Sequence, residues 1–160
     1  MLIHQIWIGK YAPPTFWMHS VRRFSEQYGH TYVFWNEDAI GNLKLENRKH
    51  YELLYKEKRF AGASDILRYE ILYQYGGIYI DADTVIMKPE HFNDFLQKHE
   101  GTFFIACEDA KCRLYANGTI GIPKGHKFMK EVVSALHTTR RENNSNEPDW
   151  KLTGPTFFTK

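Results

Sequence analysis

The sequence predicts a single α/β domain that spans residues 1–160. A length of 160 residues is typical of one domain. Short apolar, β-branched runs alternate along the chain with longer segments of helical periodicity. Hydrophobic residues make up 42% and charged residues 25% of the chain, which is the composition of a folded protein rather than a disordered one. Alternating strands and helices favour a layered α/β fold.

The first part of the chain predicts a strand–helix–strand unit. The apolar run 2–8 is typical of a buried strand, and it ends at Gly9. Apolar residues then recur at helical spacing over 15–28, with Gly29 as the stop. The β-branched and aromatic run 31–35 predicts a second strand, followed by a polar loop or helix cap.

The middle of the chain predicts a helix that leads directly into an acidic strand. Residues 53–55 lie in a polar stretch of helical character, and 61–75 form a stronger helical pattern that ends at a pair of glycines. The run 78–86 predicts a strand whose apolar entry gives way to Asp81 and Asp83.

The last part predicts two further strands and a helix. The strands are expected over 102–107 and 119–122, the helix over 126–139, and an exposed polar loop over 140–149.

Composition and charge disfavour two classes of partner. The net charge is only +2 and the basic residues form no long tract, which disfavours nucleic acid. No apolar stretch approaches the length of a membrane span, and the N-terminus has neither the basic region nor the cleavage site of a signal peptide. We therefore expect no nucleic-acid partner, no membrane span and a cytoplasmic location.

The cysteines and the glycosylation patterns are expected to carry no function. Cys107 and Cys112 are too few for a disulfide framework and lack the neighbours of a zinc site, which predicts two free thiols. Acceptor patterns begin at Asn117 and Asn143, but glycosylation requires a secreted chain, which the sequence does not predict.

Two carboxylates at the end of the predicted acidic strand indicate a metal site. Residues two apart in a strand project from the same face, so Asp81 and Asp83 would point in one direction. Two like charges at short range repel each other unless a cation lies beside them. Oxygen ligands suit Mg²⁺ or Mn²⁺, which keep open positions for water or substrate phosphates. A solvated acidic loop is the competing interpretation.

An acid and a base share one face of the preceding helix. Asp65 and Arg68 are three residues apart, a spacing that brings helical side chains together. The pair could be a surface ion pair worth about 0.3 kcal/mol. It could instead contact a ligand of the acidic pair that follows.

The string SDILRYEILYQYGGIYIDADTV, residues 64–85, resembles the DXD-containing sugar-transferase family of the yeast-type initiating mannosyltransferases and, more distantly, of the clostridial glucosylating toxins. The segments IHQIWIG, NGTIG and TGPTFFT are similar to other blocks of that family, in the same order. The resemblance therefore covers nearly the whole chain.

The resemblance implies a GT-A type fold, a Rossmann-like, nucleotide-sugar-binding mixed sheet flanked by helices. It also implies a UDP- or GDP-sugar donor, Mn²⁺ or Mg²⁺, and transfer of a hexose with retention of configuration. A glycan, polysaccharide or protein would be the acceptor.

The resemblance also assigns roles to individual residues. Trp7 would lie against the nucleobase, although a Trp in an apolar strand is more often a core residue. Asp65 and Arg68 would bind the transferred sugar and its phosphate. Asp81 would face ribose or metal, Asp83 would ligate the metal, and Asn117 would approach the sugar or the reacting phosphate. The expected catalytic residues are Asp65, Arg68, Asp83 and Asn117. The expected donor-binding residues are Ile6, Trp7, Ser64, Asp65, Arg68, Tyr69, Gly77, Asp81, Ala82 and Asp83.

Two other functions fit some of the same residues. An apolar strand followed by DxD also resembles the first motif of haloacid-dehalogenase-type phosphatases, where Asp81 would be the nucleophile. That family needs a downstream lysine and a second acidic pair, and Glu108-Asp109 comes too early to supply it. A non-catalytic sugar-binding domain is the other alternative.

The chain ends directly after the TGPTFFT block, where members of the family usually continue. The resemblance therefore predicts that a C-terminal lid segment is lacking. Water would then enter the site, and donor hydrolysis would compete with transfer.

Overall fold

The computed structural model describes the backbone of residues 1–141 and 147–160, and their side chains except those of 139–141. The strands are β1 Leu2–Ile6, β2 Thr31–Trp35, β3 Gly77–Ile80, β4 Phe104–Cys107 and β5 Tyr115–Ile122. The helices are α1 Thr15–Gln27, α2 Glu37–Gly41, α3 Arg48–Lys56, α4 Phe60–Tyr75, α5 Pro89–Lys98, α6 Lys127–Arg141, α7 Asp149–Leu152 and α8 Pro155–Thr159. The polar loop predicted over 140–149, with the acceptor pattern at Asn143, lies largely outside the described residues.

The strands form one mixed sheet in the order β2-β1-β3-β5-β4. Strand β1 pairs in parallel with both β2 and β3, whereas β5 is antiparallel to β3 and β4. The carboxyl ends of β1, β2 and β3 therefore meet at one edge of the sheet. In open α/β sheets, ligands bind at this edge.

Helix α4 is the central helix of the domain. Nearly all residues of its middle turns are buried, including Ile66, Leu67, Ile71 and Leu72. A helix that is apolar on most sides requires neighbours on most sides, and α4 contacts α3, α6, α7 and the sheet. This packing explains why a helix with polar residues such as Asp65 and Arg68 nevertheless lies in the interior.

The predicted strand over 78–86 is wrong beyond Ile80. Strand β3 ends there, and the Thr84 amide donates to the Asp81 carbonyl at 3.1 Å, which closes a turn. The alternation argument for Asp81 and Asp83 therefore does not apply, because the two acids lie in a turn rather than in a strand. Helix α5, which follows this turn, was not predicted from the sequence.

The prediction of two free thiols is also wrong, because Cys107 and Cys112 form a disulfide. The chain turns back between them, where the Cys112 amide donates to the Asp109 carbonyl at 3.0 Å. This turn brings the two Cα atoms to 5.0 Å, within the range that a disulfide needs. A five-residue separation in sequence is thus compatible with pairing once the turn forms.

A buried carboxylate connects α4 to the start of α3. Glu70 is fully buried and accepts hydrogen bonds from the Glu46 and Asn47 amides at 3.1 and 2.7 Å. The Asn47 side-chain amide donates to Glu70 at 3.0 Å and to the Val133 carbonyl of α6 at 3.0 Å. Glu70 therefore fixes three helices relative to one another.

Replacing Glu70 by alanine is expected to lower the free energy of unfolding by about 2–4 kcal/mol, because three hydrogen bonds to its carboxylate are lost and two of them are buried. Chemical denaturation measures the loss. Glu52→Ala, at an exposed position on α3, is the control and should change stability by less than about 0.5 kcal/mol. Equal losses in the two variants would contradict this role for Glu70.

Candidate active site

A buried guanidinium joins three segments at the carboxyl end of β3. Arg68 Nη2 lies 3.2 Å from one carboxylate oxygen of Asp65, on the same helix, and 3.2 Å from Asp81 Oδ1. Arg68 Nη1 donates to the Asn117 carbonyl of β5 at 2.6 Å. The side chains of Arg68 and Asp65 are only 7% and 9% exposed, so the pair is not a surface ion pair. Four of the residues predicted for the site thus lie together, namely Asp65, Arg68, Asp81 and Asn117.

Asp65 is held by three donors. Its Oδ1 accepts from Asn117 Nδ2 at 2.8 Å and faces Arg68, and its Oδ2 accepts from Thr153 Oγ1 at 3.0 Å. Burial raises the pKa of Asp65 to about 6, and the charge of Arg68 and the hydrogen bonds from Thr153 and Asn117 oppose that rise. The carboxylate is therefore mainly ionised at neutral pH and becomes neutral as the pH falls below 6.

Asp81 is oriented by Tyr79, a residue that the sequence analysis did not select. The Tyr79 hydroxyl donates to Asp81 Oδ1 at 2.7 Å, and the Arg68 guanidinium lies over the Tyr79 ring at 4.5 Å. The Asp81 carbonyl accepts from Gln5 Nε2 of β1 at 3.1 Å. The sequence feature that could have predicted this role for Tyr79 is its position two residues before Asp81, near the end of a buried strand.

The second acid of the motif is exposed. The described residues provide no hydrogen bond or ion pair to the Asp83 side chain, and none to Asp81 Oδ2. They also contain no group of three His, Cys, Asp or Glu side chains placed to hold a metal. Two carboxylates with free oxygens fit a hard divalent cation that takes its remaining ligands from water and substrate phosphates. The donor set thus fits Mg²⁺ or Mn²⁺.

One donor of the buried guanidinium has no partner. Arg68 Nε is buried and makes no hydrogen bond among the described residues. Buried polar atoms are nearly always hydrogen-bonded in native proteins, and an exception often marks a site that binds a ligand. An anionic oxygen would satisfy this donor.

Four other residues predicted to bind the donor belong to the cluster or lie in the segments that lead to it. Tyr69 belongs to the cluster, since its hydroxyl accepts from Asn117 Nδ2 at 2.9 Å. Trp7 follows β1 at the same edge of the sheet, is only partly buried, and donates its indole N–H to the Tyr11 carbonyl at 2.8 Å. Ala82 lies between the two acids and is buried, and Ser64 precedes Asp65 on α4.

Two predicted residues are not brought to the cluster. Ile6 is 3% exposed and packs in the main hydrophobic core. Gly77 begins β3 and is thus at the opposite end of the strand from Asp81. A Cβ atom at Gly77 would lie 2.5 Å from the Leu2 carbonyl oxygen, so close packing between β1 and β3 accounts for this glycine.

A family model described as the glycosyltransferase sugar-binding region containing a DXD motif matches residues 14–102, more than half of the chain. The chain belongs to this DXD glycosyltransferase family. The matched region contains Asp65, Arg68, Asp81 and Asp83, whereas Trp7 and Asn117 lie outside it.

Relatives of this DXD glycosyltransferase are found in a virus and a yeast. An uncharacterized glycosyltransferase of Acanthamoeba polyphaga mimivirus is 36% identical over 94% of this chain and 61% of its own length. Inositol phosphoceramide mannosyltransferase 1 of Schizosaccharomyces pombe is 25% identical over 99% of this chain and 49% of its own length. The chain thus spans 61% and 49% of the lengths of these two relatives, less than two thirds in both cases.

A solved structure confirms the predicted fold of this DXD glycosyltransferase. The structure of the PaToxG glycosyltransferase superposes with a TM-score of 0.75 at 20% identity, over 99% of this chain and 66% of that one. The predicted α/β class with a mixed sheet flanked by helices is therefore correct. None of the helices in the described residues is long and apolar enough to cross a membrane. The cytoplasmic location stays a prediction.

Gly118 is a further residue of the DXD glycosyltransferase site that the sequence analysis did not select. Its carbonyl accepts from the Asp81 amide at 2.8 Å, and a Cβ atom at this position would lie 2.5 Å from Asp81 Oδ2. The dipeptide Asn117-Gly118, which as a turn signal could have marked a hairpin, lies instead inside β5. Absence of a side chain at Gly118 leaves room for the Asp81 carboxylate.

Gly118→Ala is therefore expected to displace the Asp81 carboxylate and to lower metal-dependent donor turnover about tenfold or more. The measurement is the rate of nucleoside diphosphate release at saturating Mn²⁺. Gly125→Ala, at an open surface turn of positive φ, is the control for a general cost of replacing glycine and should retain turnover. Unchanged turnover in the Gly118 variant would refute the packing argument.

Proposed function

We propose that this chain transfers a hexose from a UDP- or GDP-sugar to a glycan, polysaccharide or protein acceptor, with retention of configuration and with Mn²⁺ or Mg²⁺. The observation that carries the proposal is the buried Arg68, whose Nε has no partner and whose Nη2 lies between Asp65 and Asp81. Asp81, which Arg68 contacts, is two residues before the exposed Asp83, in a member of the DXD glycosyltransferase family.

The residues suit the charges that develop during the reaction. Cleavage of a sugar–phosphate bond leaves negative charge on the diphosphate. Arg68 offers a fixed positive charge that needs no reorganisation, because two carboxylates and the Tyr79 ring hold it in place. Asp81 and Asp83 would hold the cation, which supplies Lewis-acid charge to the diphosphate when bound. Asp65 and Asn117 would orient the sugar.

The hydrogen bonds and ion pairs of the buried carboxylates support transfer with retention of configuration. An inverting enzyme needs a general base on the far side of the sugar ring. Asp65 is fully engaged by Arg68, Asn117 and Thr153, and Asp81 Oδ1 is engaged by Arg68 and Tyr79. Asp65 is therefore not free to activate an acceptor hydroxyl, and the remaining oxygen of Asp81, Oδ2, would bind the cation.

The same contacts disfavour the two alternatives. Asp81 Oδ1 is held by Arg68 and Tyr79, and in the proposed arrangement Oδ2 would bind the cation, so neither oxygen would be left to attack phosphorus. A non-catalytic sugar-binding domain does not need two acids with unpartnered oxygens, yet among the described residues Asp83 and Asp81 Oδ2 have no hydrogen bond or ion pair. The mannosyl transfer named for the yeast relative makes GDP-mannose one donor to test.

The experiment is a donor panel. Release of nucleoside diphosphate is measured from UDP-glucose, UDP-N-acetylglucosamine, UDP-galactose and GDP-mannose, with Mn²⁺, Mg²⁺ or a chelator. We expect release from one donor that the chelator abolishes, and a product with the anomeric configuration of the donor. Absence of both release and donor binding, with hydrolysis of p-nitrophenyl phosphate, would support the phosphatase instead.

A further inference from the structure

Thr153, at the end of α7, contacts the buried cluster although its position in sequence is remote from the DXD motif. Thr153 is 1% exposed, and its Oγ1 lies 3.0 Å from Asp65 Oδ2 and 3.2 Å from the Asp149 carbonyl oxygen. The hydroxyl has one proton, and the shorter contact, to a charged acceptor, is the one it donates to. The partners in this hydrogen bond are 88 residues apart in sequence. Thr153 is the first residue of the TGPTFFT block.

The backbone of Thr153 is held on two sides. Its carbonyl accepts from the Tyr69 hydroxyl at 2.8 Å, and its amide donates to the Asp149 carbonyl at 2.9 Å. The Asp149 side chain in turn accepts from the Gly62 amide at 3.2 Å, and it pairs with Arg59. Asp149 and Thr153 therefore attach α7 to α4 at two points, one near the start of α4 and one beside Asp65.

The Thr153 hydroxyl donates a hydrogen bond to the second carboxylate oxygen of Asp65, Oδ2. Oδ1 faces Arg68 and the Asn117 amide, whereas Thr153 is the side-chain donor to Oδ2 among the described residues. Without this hydroxyl, a buried carboxylate oxygen would lose its partner, and rotation of the carboxylate would be needed to satisfy it. The next residue, Gly154, packs against the backbone of α7, since a Cβ atom there would lie 2.7 Å from the Trp150 Cα and 3.3 Å from Asp65 Oδ2.

We propose that Thr153 is a positioning residue that fixes the rotation of the Asp65 carboxylate through its hydroxyl, so that Asp65 is held for the donor sugar. The contact with the sugar rests on the proposed function, whereas the effect on Asp65 does not. The chemistry required at this position is a small buried hydroxyl on an anchored backbone, which only threonine or serine supplies.

The test compares Thr153→Val, which keeps the shape and removes the hydroxyl, with Thr153→Ser, which keeps the hydroxyl. Thr138→Val, which removes an exposed hydroxyl from α6, is the control. Thermal unfolding establishes that each variant is folded. Should the valine variant fail to fold, Thr153→Ala removes the same hydroxyl and carries the same expectations.

The first readout needs no activity. Carbon-13 NMR of the side-chain carboxyl follows the titration of Asp65, while the other titratable groups that face it, Arg68, Tyr69, Tyr79 and Asp81, stay the same in all variants. Loss of a hydrogen bond to the charged form should raise the pKa of Asp65 by about one unit in Thr153→Val. Thr153→Ser should restore the wild-type titration.

The second readout is donor release at saturating Mn²⁺. We expect kcat/KM to fall about tenfold in Thr153→Val and to recover in Thr153→Ser. Wild-type protein that releases nucleoside diphosphate from no donor would refute the proposed function alone, since the titration still decides the role of Thr153. Titration of Asp65 that is identical in the valine, serine and wild-type proteins would overturn the positioning role.

Discussion

Arg68→Ala is expected to abolish metal-dependent donor turnover and to lower the free energy of unfolding by about 3–5 kcal/mol. The guanidinium lies between the buried carboxylate of Asp65 and that of Asp81, with 3.2 Å to each. Its removal leaves two anions facing each other without a cation, and it takes a donor from the Asn117 carbonyl. Denaturation at neutral pH and nucleoside diphosphate release measure the two effects.

The size of the stability loss depends on the ionisation of Asp65. Arg68 lowers the pKa of Asp65, so without Arg68 this carboxyl becomes neutral at a higher pH than the wild-type value of about 6, and its protonation removes one of the two unpaired anions as the pH falls. The destabilisation of Arg68→Ala should therefore be smaller at pH 5 than at pH 7.5.

Arg22→Ala, which breaks an exposed ion pair with Glu26 on α1, serves as the control and should change stability by less than about 1 kcal/mol. A loss for Arg68→Ala no larger than this control would contradict the buried-cation argument.

Asp83→Asn is expected to lower metal-dependent turnover about 100-fold or more. Unlike Arg68→Ala, it should leave the free energy of unfolding nearly unchanged. The side chain is exposed and is not used in any hydrogen bond or ion pair within the described part of the chain. Its removal therefore costs the fold little, whereas a cation held by Asp81 and Asp83 loses a charged ligand. Donor release over a range of Mn²⁺ concentrations measures the effect.

The matched control for this variant is Asp94→Asn, at an exposed position on α5 away from the acidic turn. It removes the same charge from the protein and should leave turnover and its Mn²⁺ dependence unchanged. Wild-type turnover in Asp83→Asn, or an equal loss in both variants, would show that Asp83 is not a metal ligand.

Much of the fold could be predicted from local patterns. The strand–helix–strand unit of β1, α1 and β2 follows from alternating apolar runs, and the structure confirms it to within two residues at each boundary. The end of β3 could not be placed, because Asp81, Ala82 and Asp83 are compatible with a strand until the turn hydrogen bond to the Asp81 carbonyl is known. The Cys107–Cys112 disulfide depends on a turn whose conformation the cysteine spacing does not determine.

The sequence predicted the residues of the candidate site only where the interacting side chains are close together in the chain. Asp65 and Arg68 share a helix face by spacing alone, and the structure brings them together. Their burial was not predictable, because it depends on α4 lying beneath other helices rather than on its own periodicity. Thr153 and Gly118 act through contacts with residues distant in sequence. A single sequence carries no local signal for such contacts.

The buried cluster draws its members from distant parts of the chain, with hydrogen-bond partners separated by 49, 52 and 88 residues. Each of these separations is a loop that must close during folding, and closing long loops slows the search for the native state. The cluster therefore assembles only after α4, β3, β5 and α7 have come together. A chain that has been synthesised only as far as β5 therefore holds Asp65 without the hydroxyl of Thr153.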